Sequence, residues 1–179
     1  MPHSRQKMLI DFFDPDVKGE DEQGRTLETI LAWDDNTLEN THDYIQTLFP
    51  LPEESVDGDN APLVTPEVRQ VFLQRQSLRE NLISAYYRML SFFGLHYEVL
   101  QDIEDNVNWM PPGGDVNWCV TQGPNWDTAC DRWVVPDDSH NHERITRIIR
   151  SLRVLGCKEQ AFAFHSFLVE DEEVLEIVP

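Results

Sequence analysis

No run of apolar residues in this chain approaches the length needed to cross a bilayer, and Met1 to Lys7 lead into no secretory segment. These absences set aside membrane-spanning and exported proteins, so an intracellular protein is expected. Cysteine is scarce. Cys119, Cys130 and Cys157 form an odd set without a closely spaced pair, which suits a reducing compartment and buried thiols better than a disulfide framework. Basic charge is short as well: 14 Lys and Arg stand against 33 Asp and Glu, for a formal charge of −19. Nucleic acid phosphates and anionic membrane surfaces would be repelled, so neither is an expected partner. Cationic peptides and basic proteins are compatible with that charge, as is solubility alone. No strong catalytic signature is present.

What the chain does have is material for a core. Its 179 residues are 40% hydrophobic and include five Trp and nine Phe, enough for one domain with a substantial interior.

The segment Phe13 to Gly24 is acidic and punctuated by Pro15, Gly19 and Gly24, so residues 1–25 are expected to form an acidic arm or loop ahead of a single helical domain over 26–179. Leu27, Ile30 and Leu31 have the spacing of a short helix. A second helix is predicted from near Asn36, carrying Leu38, Ile45, Leu48 and Phe49 inward until Pro50 and Pro52 stop it. Thr65 as N-cap, Pro66 at the first position and Glu67 in the first turn open a helix predicted to run to Phe93. Its stripe is Val68, Val71, Phe72, Leu82, Tyr86, Met89, Leu90 and Phe93, and Gly94 supplies the stop. Tyr97 to Asp138 holds Pro111-Pro112-Gly113-Gly114 and four of the five tryptophans with little periodicity, and reads as a long irregular loop. Ile145, Ile148, Ile149, Leu152 and Leu155 predict a helix from about Ser139. A last helix, near Glu159 to Glu170, would bury Phe162, Phe164 or His165, Phe167 and Leu168. The expected class is all-α: one compact helical domain with a Trp-rich loop over one face.

Four groups of residues are candidates for chemistry. Asp34-Asp35-Asn36-Thr37-Leu38-Glu39 matches an Asp-Asp-x-x-x-Glu pattern, in which Asp35 and Glu39, one turn apart, offer hard oxygens to Mg²⁺. The same residues also make a helix start, through Asn36 with Glu39 and acids at the positive end of the dipole. Arg144, Arg147, Arg150 and Arg153 concentrate positive charge on one helix. Their three-residue spacing drifts around it, so they serve either an anion or the chain's own acids. Arg144 and Arg147 are the stronger binding candidates. His42, His140 and His142 are possible acid–base groups or ligands, against a role in bracing the core. Trp109, Trp118, Trp126 and Trp133 either line an aromatic pocket or pin the loop to the helices.

Two segments carry a family resemblance. Leu38-Glu39-Asn40-Thr41-His42-Asp43-Tyr44-Ile45-Gln46-Thr47-Leu48-Phe49-Pro50 and His140-Asn141-His142-Glu143-Arg144-Ile145-Thr146-Arg147-Ile148-Ile149-Arg150-Ser151-Leu152 resemble the conserved region of the opioid growth factor receptor family, in that family's order. Asn60-Ala61-Pro62-Leu63, Ala85-Tyr86, Met89-Leu90 and Leu155-Gly156 are similar to its intervening blocks, and the interval Val134 to Ser139 looks expanded. The resemblance implies a domain that binds a small-molecule or peptide ligand, and it carries over no catalytic residues. Its binding surface would involve the Trp-rich loop, His42, His140, Arg144 and Arg147. Vertebrate members are linked to an opioid pentapeptide and nuclear growth control. No basic nuclear-import cluster occurs here, so the cytoplasm is expected over the nucleus. The alternative from another class is a small biosynthetic enzyme, a Mg²⁺-dependent cyclase of a prenyl diphosphate. In it the acidic pattern would hold the metal, arginines the diphosphate, and aromatic rings the carbocation.

Overall fold

The computed structural model describes residues 2–54, 61–99, 118–134 and 139–170. The chain opens with helix α1 (Pro2–Phe13), where the sequence suggested an arm. Leu9, Phe12 and Phe13 share one helical face and are buried, and the Phe13 ring meets Phe72 edge-on at 5.4 Å. The acidic stretch that follows hides this in the composition, yet its carboxylates build turns. Asp14 accepts from Arg75 Nη2 (2.8 Å), and Asp21 accepts from the backbone of Gln23 and Arg25 and from Arg25 Nε.

Helix α2 (Leu27–Leu31) stands where expected, capped by the Thr26 hydroxyl. The second predicted helix is two: α3 (Asp35–Asn40) and α4 (Ile45–Leu48). Between them the Thr41 carbonyl accepts from Arg144 Nη2 at 3.0 Å, a side-chain partner from far along the chain. The long helix expected over Pro66–Phe93 is likewise divided, into α5 (Pro66–Gln74) and α6 (Gln76–Phe92), by an extended Arg75 with φ −108° and ψ 102°. The carbonyls of Phe72 and Leu73, which face the break, accept from Arg79 Nη1. A side chain one turn into α6 thus satisfies groups that continuous helix would have used.

Gly94, at φ +80°, ends α6, and a Cβ there would stand 2.9 Å from that of Ala129. The chain then enters β1 (Leu95–Val99), antiparallel to β2 (Trp118–Gln122) with Tyr97 opposite Val120. The fold is therefore mainly helical with a small two-stranded sheet, and the all-α expectation is corrected to that extent. Its trace in the sequence is short: Leu95 is buried and Tyr97 half-buried, while His96 and Glu98 are exposed. After β2 come α7 (Trp126–Ala129) and a 3₁₀ turn at Cys130–Arg132, so the described part of the tryptophan segment has regular structure.

Helices α8 (Ser139–Val154) and α9 (Lys158–Glu170) follow, joined at Gly156 with φ +93°. They pack on each other, and α9 also covers β2. Phe164 and Leu168 are buried as expected, whereas Phe162 is 40% exposed. One hydrophobic cluster joins side chains from α1 through α9. Among the described residues no helix is long and apolar enough to cross a membrane.

Candidate functional site

The end of α3 and the beginning of α8 meet in a polar cluster centred on Arg144. This side chain is 4% exposed. Its Nη2 donates to the carbonyls of Glu39 (3.3 Å) and Thr41 (3.0 Å), and lies 3.4 Å from His42 Nδ1. Its Nη1 donates to Asn141 Oδ1 (3.2 Å) and sits 3.7 Å from the Glu39 carboxylate. The guanidinium also stands over the Tyr44 ring, 5.7 Å from its centroid. A buried arginine is tolerated because almost every donor has an acceptor.

Glu39 is the second hub. Its Oε1 lies 2.9 Å from His140 Nε2, and its Oε2 accepts from Asn141 Nδ2 at 3.2 Å. The fully buried Asn141 amide also donates to the Arg132 carbonyl, tying the cluster to the 3₁₀ turn. His42 and His140 face each other edge-on, with ring centroids 5.7 Å apart. Because Arg144 can only donate, the contact at His42 Nδ1 needs that nitrogen unprotonated and leaves the ring proton on Nε2. Burial pushes the Tyr44 phenol up to about 12, with the Arg144 charge working against it. The exposed edge consists of His42, His140 (37% side-chain exposure) and part of Glu39.

The structure thus brings His42, His140 and Arg144 together, along with Glu39 in a different role from the one expected. Arg147 lies one turn further along α8, where Nη1 donates to the Phe49 carbonyl at 3.1 Å. His142 Nε2 donates to the Trp133 carbonyl. Trp133 is fully buried and donates its own Nε1–H to the Phe93 carbonyl (2.9 Å), and Trp126 packs edge-on against it at 5.8 Å. These two rings belong to the buried hydrophobic cluster. Trp118 belongs to β2, and Trp109 lies outside the described residues.

The acidic pattern divides among three tasks. Asp34, not Asn36, caps α3 by accepting from the Thr37 N–H at 2.7 Å. Hydrogen bonds from Thr37 hold its carboxyl below the usual range. Asp35 pairs with Arg88 (2.8 Å) and Arg132 (3.1 Å), and Glu39 faces His140, Asn141 and Arg144. Each carboxylate already has donors of the protein's own, and two have cations. The donor set does not fit Mg²⁺, and among the described residues no group of three His, Cys, Asp or Glu is placed to hold a metal. Nor is a thiol activated: burial raises Cys119 and Cys130 and pushes Cys157 up to about 12.

Sequence reasoning passed over Asn141, Tyr44, Arg132 and Arg88. Asn141 sits inside a segment already singled out, between two histidines. Arg132 and Arg88 had no local signal, since their partner Asp35 is far away in the chain.

A family model described as the opioid growth factor receptor (OGFr) conserved region matches residues 4–178. The opioid growth factor receptor of Rattus norvegicus is 34% identical over 159 residues, which cover 87% of this chain and 24% of that protein. Its Homo sapiens counterpart is 34% identical over 161 residues, covering 87% and 21%. Opioid growth factor receptor-like protein 1 of Mus musculus is 30% identical over 154 residues, covering 85% and 29%. The chain spans about a quarter of the length of these curated relatives. No solved structure matches it. Matched over nearly its whole length, the chain belongs to the family defined by the opioid growth factor receptor conserved region.

Proposed function

We propose that this chain is a ligand- or partner-binding domain without an assigned reaction, recognising a small molecule or peptide at the exposed edge of the Arg144 cluster. One observation carries the reading. Segments 38–50 and 140–152, about a hundred residues apart, meet at Arg144, which is buried against backbone carbonyls of the first segment. That gives His42 and His140 a rigid base while their rings stay at the surface. A fixed polar edge on a packed support is what binding without large ordering costs requires. An intracellular and cytoplasmic setting goes with the reading and suits three cysteines that are all unpaired.

The name of the relatives makes opioid growth factor the first peptide to try, followed by a panel of small metabolites. Titration calorimetry of the wild type against His42→Ala and His140→Ala is the test, with tryptophan emission as a second readout. Saturable binding that weakens in both variants, at unchanged stability, is the expected result. Binding indifferent to both would move the site elsewhere, and no saturable ligand at all would defeat the proposal.

A further inference from the structure

The second half of α8 carries a cation whose hydrogen-bonding capacity is largely unspent. Arg147 is half-buried, and among the described residues it donates only from Nη1, to the Phe49 carbonyl. A guanidinium has five N–H donors in a planar fork, so most of this one has no protein acceptor among the described residues. Burial holds its pKa below the ordinary arginine value, with Glu53 opposing that shift and the neighbouring charge of Arg150 adding to it. Arg150 is exposed and paired with Glu53, which is itself about half exposed. Arg69 joins the same end of the helix by donating from Nε to the Val154 carbonyl (3.1 Å), and Arg153 is exposed beside it. Arg147, Arg150 and Arg153 thus follow one another along α8, with Arg69 bonded to its last residue, in a chain of formal charge −19. Here the protein has concentrated cations where its overall charge would predict acids.

We infer that Arg147 and Arg150 form a carboxylate-binding fork for an acidic peptide segment of a partner protein, and that Glu53 is an internal carboxylate occupying part of that place. The occupant follows from charge complementarity and from the carboxylate already present. An acidic side chain sits against Arg150, within electrostatic reach of Arg147, and is held only by exposed contacts that water and salt weaken. A partner presenting two or more carboxylates would displace Glu53 and engage the unused donors of Arg147 in the bidentate manner that arginine favours. This surface is independent of any ligand at His42 and His140.

The experiment is fluorescence anisotropy with a labelled poly-glutamate peptide and the whole chain. Binding that weakens with sodium chloride is expected. Glu53→Gln, by removing the internal competitor, should tighten it by roughly two- to fivefold, the range over which exposed ion pairs act. Arg150→Gln should weaken it, and so should Arg147→Lys, which keeps the charge and loses the fork. Glu28→Gln on α2, removing the same charge, and His42→Ala should both leave it unchanged. Equal tightening by Glu28→Gln would reduce the effect to net charge and overturn the inference. So would an Arg147→Lys protein that binds like wild type, a loss of binding in His42→Ala, or no binding by either wild type or Glu53→Gln. If unlabelled inorganic phosphate competes at least as well as unlabelled peptide, the fork takes anions in general and the acidic-peptide assignment falls.

Discussion

Replacing Arg144 by methionine keeps most of the side chain's bulk and removes every donor. The carbonyls of Glu39 and Thr41 would then lose a charged partner, and the Glu39 carboxylate a nearby cation. We expect Arg144→Met to lower stability by about 2–3 kcal/mol in denaturant unfolding. A loss below about 1 kcal/mol would mean that the cluster contributes no more than an exposed pair. A second residue-level prediction concerns the start of α3. Since the Asp34 carboxylate makes the cap, Asp34→Ala should lower the unfolding midpoint while Asn36→Ala leaves it in place. The reverse order would restore the cap to Asn36. Arg144 was singled out by its segment, and that choice needed no structure. Its burial was not legible, because an arginine enters a core only where acceptors from elsewhere in the chain surround it.

Helix α1 is the element that the sequence concealed. Phe13 is fully buried between Phe12 and Phe72, and its carbonyl accepts from Asn81 on α6. Phe13→Ala should cost about 3–5 kcal/mol, as large-to-small changes in a close-packed core do. A surface-like loss would show that α1 is an arm after all. Just beyond it, Asp14 binds Arg75 at the break between α5 and α6, and this hydrogen bond is the foremost reason its carboxyl lies below the ordinary 3.8. A native value below the unfolded one means that the contribution is complete above the unfolded value and is lost as pH falls through the native value. The stability difference between wild type and Asp14→Asn should therefore be steady near neutrality and shrink in acid. Urea midpoints measured across that range would reject the pair's role if the difference stayed constant. The break itself was not legible, since Val68, Val71 and Phe72 continue a helical stripe into α6 and only Arg75 departs from it.

At the scale of the whole molecule, one core runs from α1 to α9, so helix loss and tryptophan exposure should report a single transition. Circular dichroism and tryptophan emission, followed through the same denaturant series, should give coincident midpoints. Separated midpoints would show that α1 or the sheet melts on its own. Net charge acts at this scale as well. Nineteen excess negative charges repel one another throughout the chain, so sodium chloride should raise the thermal midpoint by screening that repulsion. A midpoint that falls with salt would mean that the attractive pairs, Asp35 with Arg88 and Arg132 among them, outweigh it.

Helical spacing was enough to place α2, α8 and α9, because 3.6-residue periodicity is local and each of these helices shows its apolar stripe within its own segment. Thr65-Pro66 and Gly94 marked boundaries for the same reason: capping and positive φ are settled by a few neighbouring residues. Segments 38–50 and 140–152 likewise identified the family from their own residues. Tertiary structure alone decided where helices break, which strands pair and which polar groups meet. Arg75 turns aside with Asp14 as its partner 61 residues away, and Thr41 gives its carbonyl to an arginine 103 residues on. Glu39, read locally as a metal ligand, became the acceptor for His140 and Asn141 because α8 arrives beside it. A carboxylate's role depends on which donors reach it, and here those donors come from the other end of the fold.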